Sequence, residues 1–268
     1  MSGQIPVDLK YRLYEESVQC HESDIEFLNQ EFKKEYGKVP LTLREDFGGT
    51  AAMAIDWVAQ SDKHYSWGID LDPEPVKYGK ENHLTKLSEK DQKRMEFILG
   101  NVLDDYKFKA DIIVAFNFSY FCFKKRKDLL DYFKKVRAGL NNEGAFFIDL
   151  FGGEDAQETV LEETEHDNHT YFWDCDSFDP ITNECKYYIH FKTHEDGKKY
   201  KKVFTYDWRF WSLPELREIL EDAGFSKTIT YWEEDDDDDD EGEGNGVFYR
   251  TESEENCESW VTYIMALP

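Results

Sequence analysis

The chain is predicted to fold as an α/β domain on a doubly wound, mostly parallel sheet of seven strands. Three observations lead there. Between residues 41 and 150, short β-branched and aromatic runs alternate with segments of helical spacing, the pattern of successive βαβ units. One of those runs, Asp111 to Phe116, is apolar throughout after its aspartate, as a strand covered on both faces must be. The 268 residues hold 20 Phe, 16 Tyr and 7 Trp, enough apolar mass for the core of one elaborated domain.

The elements follow in order. Tyr11 to Tyr36 carries Leu13, Val18, Ile25, Leu28 and Phe32 at spacings that suit amphipathic helices, and Pro40 ends them. Leu41 to Leu43 opens the first strand and Ala51 to Gln60 has helical composition. Tyr65 to Leu71 is the second strand, and Pro73, tolerated in a first turn, starts the next helix. Met95 to Leu99, Asp111 to Phe116 and Ala145 to Leu150 are strands three to five, with Leu129, Leu130, Phe133 and Val136 marking the helix before the fifth. The pattern then changes: Tyr171–Trp173, Lys186–Thr193 and Tyr200–Phe210, separated by turns at Asp179-Pro180 and Asp196-Gly197, read as an inserted antiparallel meander. Ser212 with Glu215 three residues on is a capping box for a helix ending at Gly224. Thr228–Trp232 and Trp260–Leu267 complete the sheet, the last running antiparallel between its neighbours. The chain is thus read as one domain over 1–268: 1–40 a helical lid, 41–150 a ligand-binding core, 165–211 a β-meander cover and 233–246 a mobile acidic loop.

Charge narrows the function. Lys and Arg number 32 against 58 Asp and Glu, a net charge of −26. Such a chain is repelled by phosphate backbones and by anionic membrane surfaces, so neither nucleic acid nor membrane is an expected partner. No apolar run reaches the ~18 residues of a membrane helix, and the first ten residues lack the apolar stretch of a secretory leader. Five scattered cysteines without a C-x-x-C pair suit a reduced, cytoplasmic protein. His166-x-x-His169, Cys175/Cys185 and His190/His194 make no convincing ligand set, and no metal is expected. The run Asp235 to Asp240 is either a solvated loop or a contact for a basic protein partner.

In an open α/β sheet, ligands bind beyond the carboxyl ends of the strands, where strand order reverses. The first strand ends in Glu45-Asp46-Phe47-Gly48-Gly49-Thr50-Ala51. Two small residues let a ligand approach the backbone, and the following helix start offers free N–H groups. The segment is neither a G-x-G-x-x-G nor a P-loop, and an acid before the glycines suits an ammonium better than a pyrophosphate; alone, the glycines also fit a plain tight turn. The second strand ends in Gly68-Ile69-Asp70-Leu71-Asp72, placing a carboxylate where ribose hydroxyls would lie, with helix capping the other reading, better suited to Asp72. The third ends at Gly100-Asn101-Val102, where Asn101 either reads an adenine amino group or closes a turn.

Together Leu43-Arg44-Glu45-Asp46-Phe47-Gly48-Gly49-Thr50-Ala51 and Gly68-Ile69-Asp70-Leu71-Asp72-Pro73 resemble the first two motifs of the class I S-adenosylmethionine-dependent methyltransferases. More narrowly, Leu-Arg-Glu-Asp-Phe, Asn117-Phe118-Ser119-Tyr120, Asp149-Leu150-Phe151-Gly152-Gly153 and Tyr206-Asp207-Trp208-Arg209 resemble a poorly characterised subgroup of that family, over nearly the whole chain. The resemblance implies a Rossmann-like sheet and S-adenosylmethionine as methyl donor, with S-adenosylhomocysteine as product. It implies that the motif acid is Glu45, with Asp46 its neighbouring possibility. Arg44 and Phe47 belong to the same segment, Gly48, Gly49 and Thr50 line the methionine half, Asp70 holds the ribose, and Leu71 or Asp72 borders the adenine beside Asn101 and Val102. Ala51 stands where the family has glycine and Asn101 where it has Asp, both mild changes, while Phe47, also at a family glycine, puts the local path of the first loop in question.

The reacting end is expected at Asn117, Phe118 and Tyr120, where amino-methylating relatives carry an Asn-Pro-Pro-Tyr type motif; the prolines are missing, and Asn117 equally suits a backbone-satisfying role. Candidate bases are Asp149, His190 and Tyr206. Arg209 is placed either to bind a substrate carboxylate or to pair with an acid. Tyr11 and Tyr14 belong to the lid or anchor its helices. The leading function is methyl transfer to a small molecule in an aromatic-lined pocket. The alternatives are a methyltransferase acting on a basic protein segment and a non-catalytic cofactor-binding module. Oligomeric state is not legible.

Overall fold

The computed structural model describes residues 4–235 and 244–268. Two helices, α1 (Val7–Val18) and α2 (His21–Tyr36), precede strand β1 (Thr42–Asp46), then α3 (Ala52–Ala59), β2 (Tyr65–Asp70), α4 (Pro73–Asn82), the short α5 (Glu89–Gln92), β3 (Met95–Leu99), β4 (Ala110–Ala115), α6 (Arg126–Gly139) and β5 (Leu140–Gly152). Four strands follow, β6 (Leu161–Glu165), β7 (His169–Phe178), β8 (Glu184–Thr193) and β9 (Lys199–Arg209). The chain ends with α7 (Leu213–Asp222), β10 (Lys227–Asp235), β11 (Gly244–Thr251) and β12 (Trp260–Leu267).

The main sheet has the order β11-β10-β12-β5-β4-β1-β2-β3, eight strands rather than the seven expected. β12 runs antiparallel between β5 and β10, as read from the sequence, and β11 adds an antiparallel edge on β10. The extra strand, β11, overlaps the end of the segment read as a mobile loop over 233–246: Glu233 to Asp235 still belong to β10 and Gly244 already to β11, while 236–243 lie outside the described residues. Strand order reverses between β1 and β4, both neighbours of β1 being parallel to it.

β4 shows why this sheet forms. Its alternate residues enter two separate cores: Ile113 and Ala115 pack with Leu129, Phe133 and Val136 of α6, while Ile112 and Val114 pack with Ile25 and Leu28 of α2 and Ala54 of α3. A strand buried on both faces has no use for polar residues. The capping box of α7 is formed, Ser212 and Glu215 each accepting from the other's backbone N–H.

The inserted meander is a separate four-stranded antiparallel sheet, β6-β7-β8-β9, one strand more than the apolar runs indicate. The added strand, β6, is exposed at every residue, so no alternation of apolar side chains marks it. No helix among the described residues is long and apolar enough to cross a membrane, and none of their His, Cys, Asp and Glu clusters could hold a metal ion.

Candidate active site

A cavity of about 600 Å³ opens at the carboxyl ends of β1, β2 and β4, roofed by α1 and the start of α2. Its position is where a doubly wound sheet binds ligands.

Strand alternation sorts the first motif. Arg44 and Asp46 point to one face of β1, where the Arg44 guanidinium grips the Asp46 carboxylate at 2.6 and 3.0 Å and Tyr132 donates to it at 2.9 Å. This triad is buried beneath the loop, so Arg44, expected in the binding segment, faces away from the cavity, and both carboxylate oxygens of Asp46 are spent. Glu45 points to the other face and lines the cavity, accepting the Ala54 N–H of α3 at 2.9 Å. Burial pushes its carboxyl up to about 7. Phe47 and Ala51 adopt φ of 55° and 53°, the left-handed region glycine favours. The loop therefore keeps a glycine-like path without its glycines, with the Phe47 ring braced edge-on against Tyr132 and Phe123. Gly48, Gly49 and Thr50 line the cavity. Gly49 has φ 56°, and a Cβ there would meet nothing within 4 Å.

Asp70 lies on the opposite wall and accepts N–H groups from Gly49 at 2.8 Å and Asp72 at 2.7 Å. Those two bonds leave lone pairs for a ligand. Asp72 reaches the cavity but caps α4, its side chain taking the Glu74 N–H at 2.9 Å. Three residues expected near an adenine stand apart. Leu71 is exposed and off the cavity wall. Asn101 closes a turn, accepting the Leu103 N–H at 3.0 Å, and Val102 is buried with its carbonyl toward Arg44.

The loop after β4 forms the inner end. Asn117 and Phe118 both have φ 56°, two successive left-handed residues, a costly arrangement for side chains other than glycine. Asp149 at the end of β5 holds it, accepting the N–H of Asn117 at 2.6 Å and of Phe118 at 2.9 Å. Burial still outweighs those bonds and raises the Asp149 carboxyl to about 7. Tyr120, expected at the reacting end, is fully buried and donates to the Asp149 carbonyl at 2.6 Å. The short helical turn after Phe118 aims it into the core, and Phe118 takes the wall position instead.

The N-terminal helices lie over the site. Tyr11 and Tyr14 line it, and Tyr11 donates to Glu74 at 2.9 Å beside the Lys10–Glu74 ion pair. Glu15 of α1 accepts from Thr50 of the glycine loop at 2.7 Å and meets His83 at 2.8 Å. Among the lining residues that went unread in the sequence are Gln19, His21 and Asp24. They sit at the break between α1 and α2, where no motif draws the eye; the polar run Gln19 to Asp24 between two amphipathic segments was the available signal. Gln19 Oε1 and His21 Nε2 are buried without a hydrogen-bond partner among the described residues. Burial opposes the charged imidazole, but the bond to Asp56 and the Glu45 charge overcome it and hold the His21 pKa above its ordinary value. Asp24 accepts the Tyr263 hydroxyl at 2.8 Å.

A second chamber of about 250 Å³ continues from this one beneath the meander, sharing Tyr14, Asn117, Phe118, Tyr206 and Trp208. Alternation again decides who faces it. Tyr187 and Ile189 of β8 point in, so His190 points out, bonded to Asp174 at 2.9 Å and accepting the Lys202 N–H at 2.6 Å. Arg209 is likewise off the chamber, paired with Glu215 at 3.2 Å and stacked over Trp211. Of the proposed bases, Asp149 and Tyr206 reach the cavities and His190 does not.

The fold is that of the S-adenosylmethionine-dependent methyltransferases. A solved methyltransferase of that kind from Clostridium acetobutylicum ATCC 824 is similar with TM-score 0.69 at 16% identity, covering 96% of this chain and 97% of that one. The sugar N-methyltransferase KedS8 from Streptoalloteichus sp ATCC 53650 is similar with TM-score 0.63 at 12% identity, covering 100% and 96%. CalS10 from Micromonospora echinaspora, an amino pentose methyltransferase solved with S-adenosylmethionine bound, gives 0.66 at 8% identity, covering 100% and 99%. No protein-family model and no curated protein matches the chain.

Proposed function

We propose that this chain is an enzyme that transfers a methyl group from S-adenosylmethionine to a small-molecule acceptor. The observation that carries the reading is the continuity of two chambers: an acid-walled cavity at the glycine loop opens into an aromatic one under the meander, with Asn117 and Phe118 at the junction.

The residues present fit the donor. S-adenosylmethionine, when bound, supplies a methyl group on a positively charged sulfur, already activated for displacement. The cavity wall carries Asp24, Glu45, Asp46, Asp70, Asp72 and Asp149 against Lys10 and His21, a field that favours a ligand with ammonium and sulfonium charges. Gly48 and Gly49 let the ligand approach the backbone, and Asp70 has lone pairs left for ribose hydroxyls. Gln19 and His21, with unpartnered polar atoms, would hold the methionine end. Asp149 fixes the junction loop, so that acceptor and donor meet in one geometry. The helix roof and the meander cover the junction. An inner chamber of about 250 Å³ suits a small acceptor and disfavours a protein segment. Neighbours of this fold named as sugar N-methyltransferases support the same reading.

The test is calorimetric titration of the purified chain with S-adenosylmethionine and S-adenosylhomocysteine. Micromolar binding of both is expected; no binding of either overturns the proposal.

A further inference from the structure

We infer that the acceptor is a small molecule carrying a cationic nitrogen, recognised by the aromatic walls of the inner chamber and by Glu162 at its mouth. This rests on the methyl-transfer reading for the word acceptor, but its argument is independent of the donor site.

The chamber is walled by Phe118, Phe151, Trp173, Tyr187, Tyr206 and Trp208. Their rings contact one another in a continuous surface, with Trp173 to Tyr187 at 4.8 Å and Tyr206 to Trp208 at 4.3 Å. Aromatic faces carry negative charge density and attract cations, tryptophan most strongly. The charge inventory is one-sided: among the described residues, the charged ones on the wall are Asp155 and Glu162, with no Lys, Arg or His.

Glu162 is the one acid of its sheet, among the described residues, that lines the chamber. Asp174 pairs with His190, and Glu165 with His194. Glu162 lies opposite Trp173 in the β6–β7 register and makes no hydrogen bond or ion pair among the described residues. Partial desolvation at the chamber mouth, with the Asp155 charge added, holds its carboxyl above the ordinary range. The protein supplies this carboxylate with no countercharge, although lysines are plentiful on the outer face of the same sheet, where Lys199 and Lys202 cover Phe172 and Tyr188. An anionic acceptor would meet two carboxylates and no base. A neutral one would gain nothing from either acid. A cationic nitrogen satisfies the acids and the rings together.

The experiment uses the full chain and two charge-matched sets: benzylamine, benzyl alcohol and benzoate, and cyclohexylamine, cyclohexanol and cyclohexanecarboxylate. Binding is read from tryptophan fluorescence, since Trp173 and Trp208 are in the wall, with and without saturating S-adenosylhomocysteine. The amine of each set is expected to bind about 2- to 30-fold tighter than its alcohol, and the carboxylates not measurably. Glu162→Gln, a change at an exposed rim, should shrink the amine preference while leaving alcohol binding as it was, and Trp208→Leu should weaken the amine more than the alcohol. No amine preference in either set, or a preference that Glu162→Gln leaves intact, overturns the inference. If S-adenosylhomocysteine binds and the amine preference is missing, this inference falls and methyl transfer stands. If the amines bind and S-adenosylhomocysteine does not, methyl transfer falls and the chamber's charge selectivity stands.

Discussion

The carboxylate of Asp149 sits 2.6 Å from the backbone nitrogen of Asn117, and the residue so held has a left-handed backbone. An end-of-strand acid is thereby committed to keeping the neighbouring loop in a conformation it would not choose. Asp149→Asn keeps the shape but turns an NH₂ toward one of the two N–H donors. Leaving that donor unsatisfied costs about 1–3 kcal/mol. Thermal unfolding should shift down by about 2–4 °C for each kcal/mol, with turnover falling more than donor affinity. An unchanged melting temperature would remove the clamp role.

Glu45 and Asp149 are both pushed up to about 7 by burial. Between roughly pH 4.5 and 7 the folded chain therefore holds protons that the unfolded chain has released, so these two groups make stability fall as pH rises through that window. Urea unfolding at pH 5, 6, 7 and 8 should show the decline, and Glu45→Gln should flatten part of it. A slope that rises from pH 5 to 7, or that Glu45→Gln leaves unaltered, would contradict the assignment.

Asp70 and Asp72 make a matched pair. Asp70→Ala should weaken S-adenosylhomocysteine binding by about 1–3 kcal/mol through lost charge-assisted bonds. Asp72→Ala removes a helix cap, costing about 1 kcal/mol of stability with little change in affinity. Titration and melting of both variants separate ligand contact from capping, and reversed results would exchange the roles.

Asp46→Ala leaves the Arg44 guanidinium buried without its partner. Breaking such a pair costs about 3–5 kcal/mol. Denaturation should report that loss, while the folded fraction binds donor as the parent does. A stable variant that has lost affinity would return Asp46 to the binding site.

Gly68 is required by its neighbour: a Cβ there would fall 2.4 Å from the Ala51 Cβ. Gly68→Ala should cost about 1–3 kcal/mol by overpacking. Adding Ala51→Gly should recover most of it, because the new methyl then occupies the vacated space. If the double variant melts no higher than the single one, the contact is not what excludes a side chain at position 68.

The sheet, its order-reversing point and the loops around it were legible because apolar period and turn residues report them directly. Orientation within those loops was less so. Alternation from Glu45 would already turn Arg44 and Asp46 to the far face, and from Tyr187 it would turn His190 outward; a motif reading treats neighbouring residues as equivalent, and the pleat does not. Tyr120 was unreadable because a single helical turn rotates it by an amount no spacing reveals. β6 and β11 escaped notice because edge strands, wet on one side and unpaired on the other, need no apolar alternation. Gln19, His21 and Asp24 reach the cavity only through the angle between α1 and α2, a tertiary fact.

The polar character of β6 has a consequence for the molecule in a crowded solution. It forms one border of the four-stranded sheet, and three of its five residues are glutamates. A border of unsatisfied backbone groups is a template on which another chain can add. A second copy that pairs through its own β6 brings a row of like charges against the first. The acids of this edge thus oppose growth of fibres through β6-to-β6 pairing, and high salt, which screens the repulsion, is the condition under which that protection would lapse.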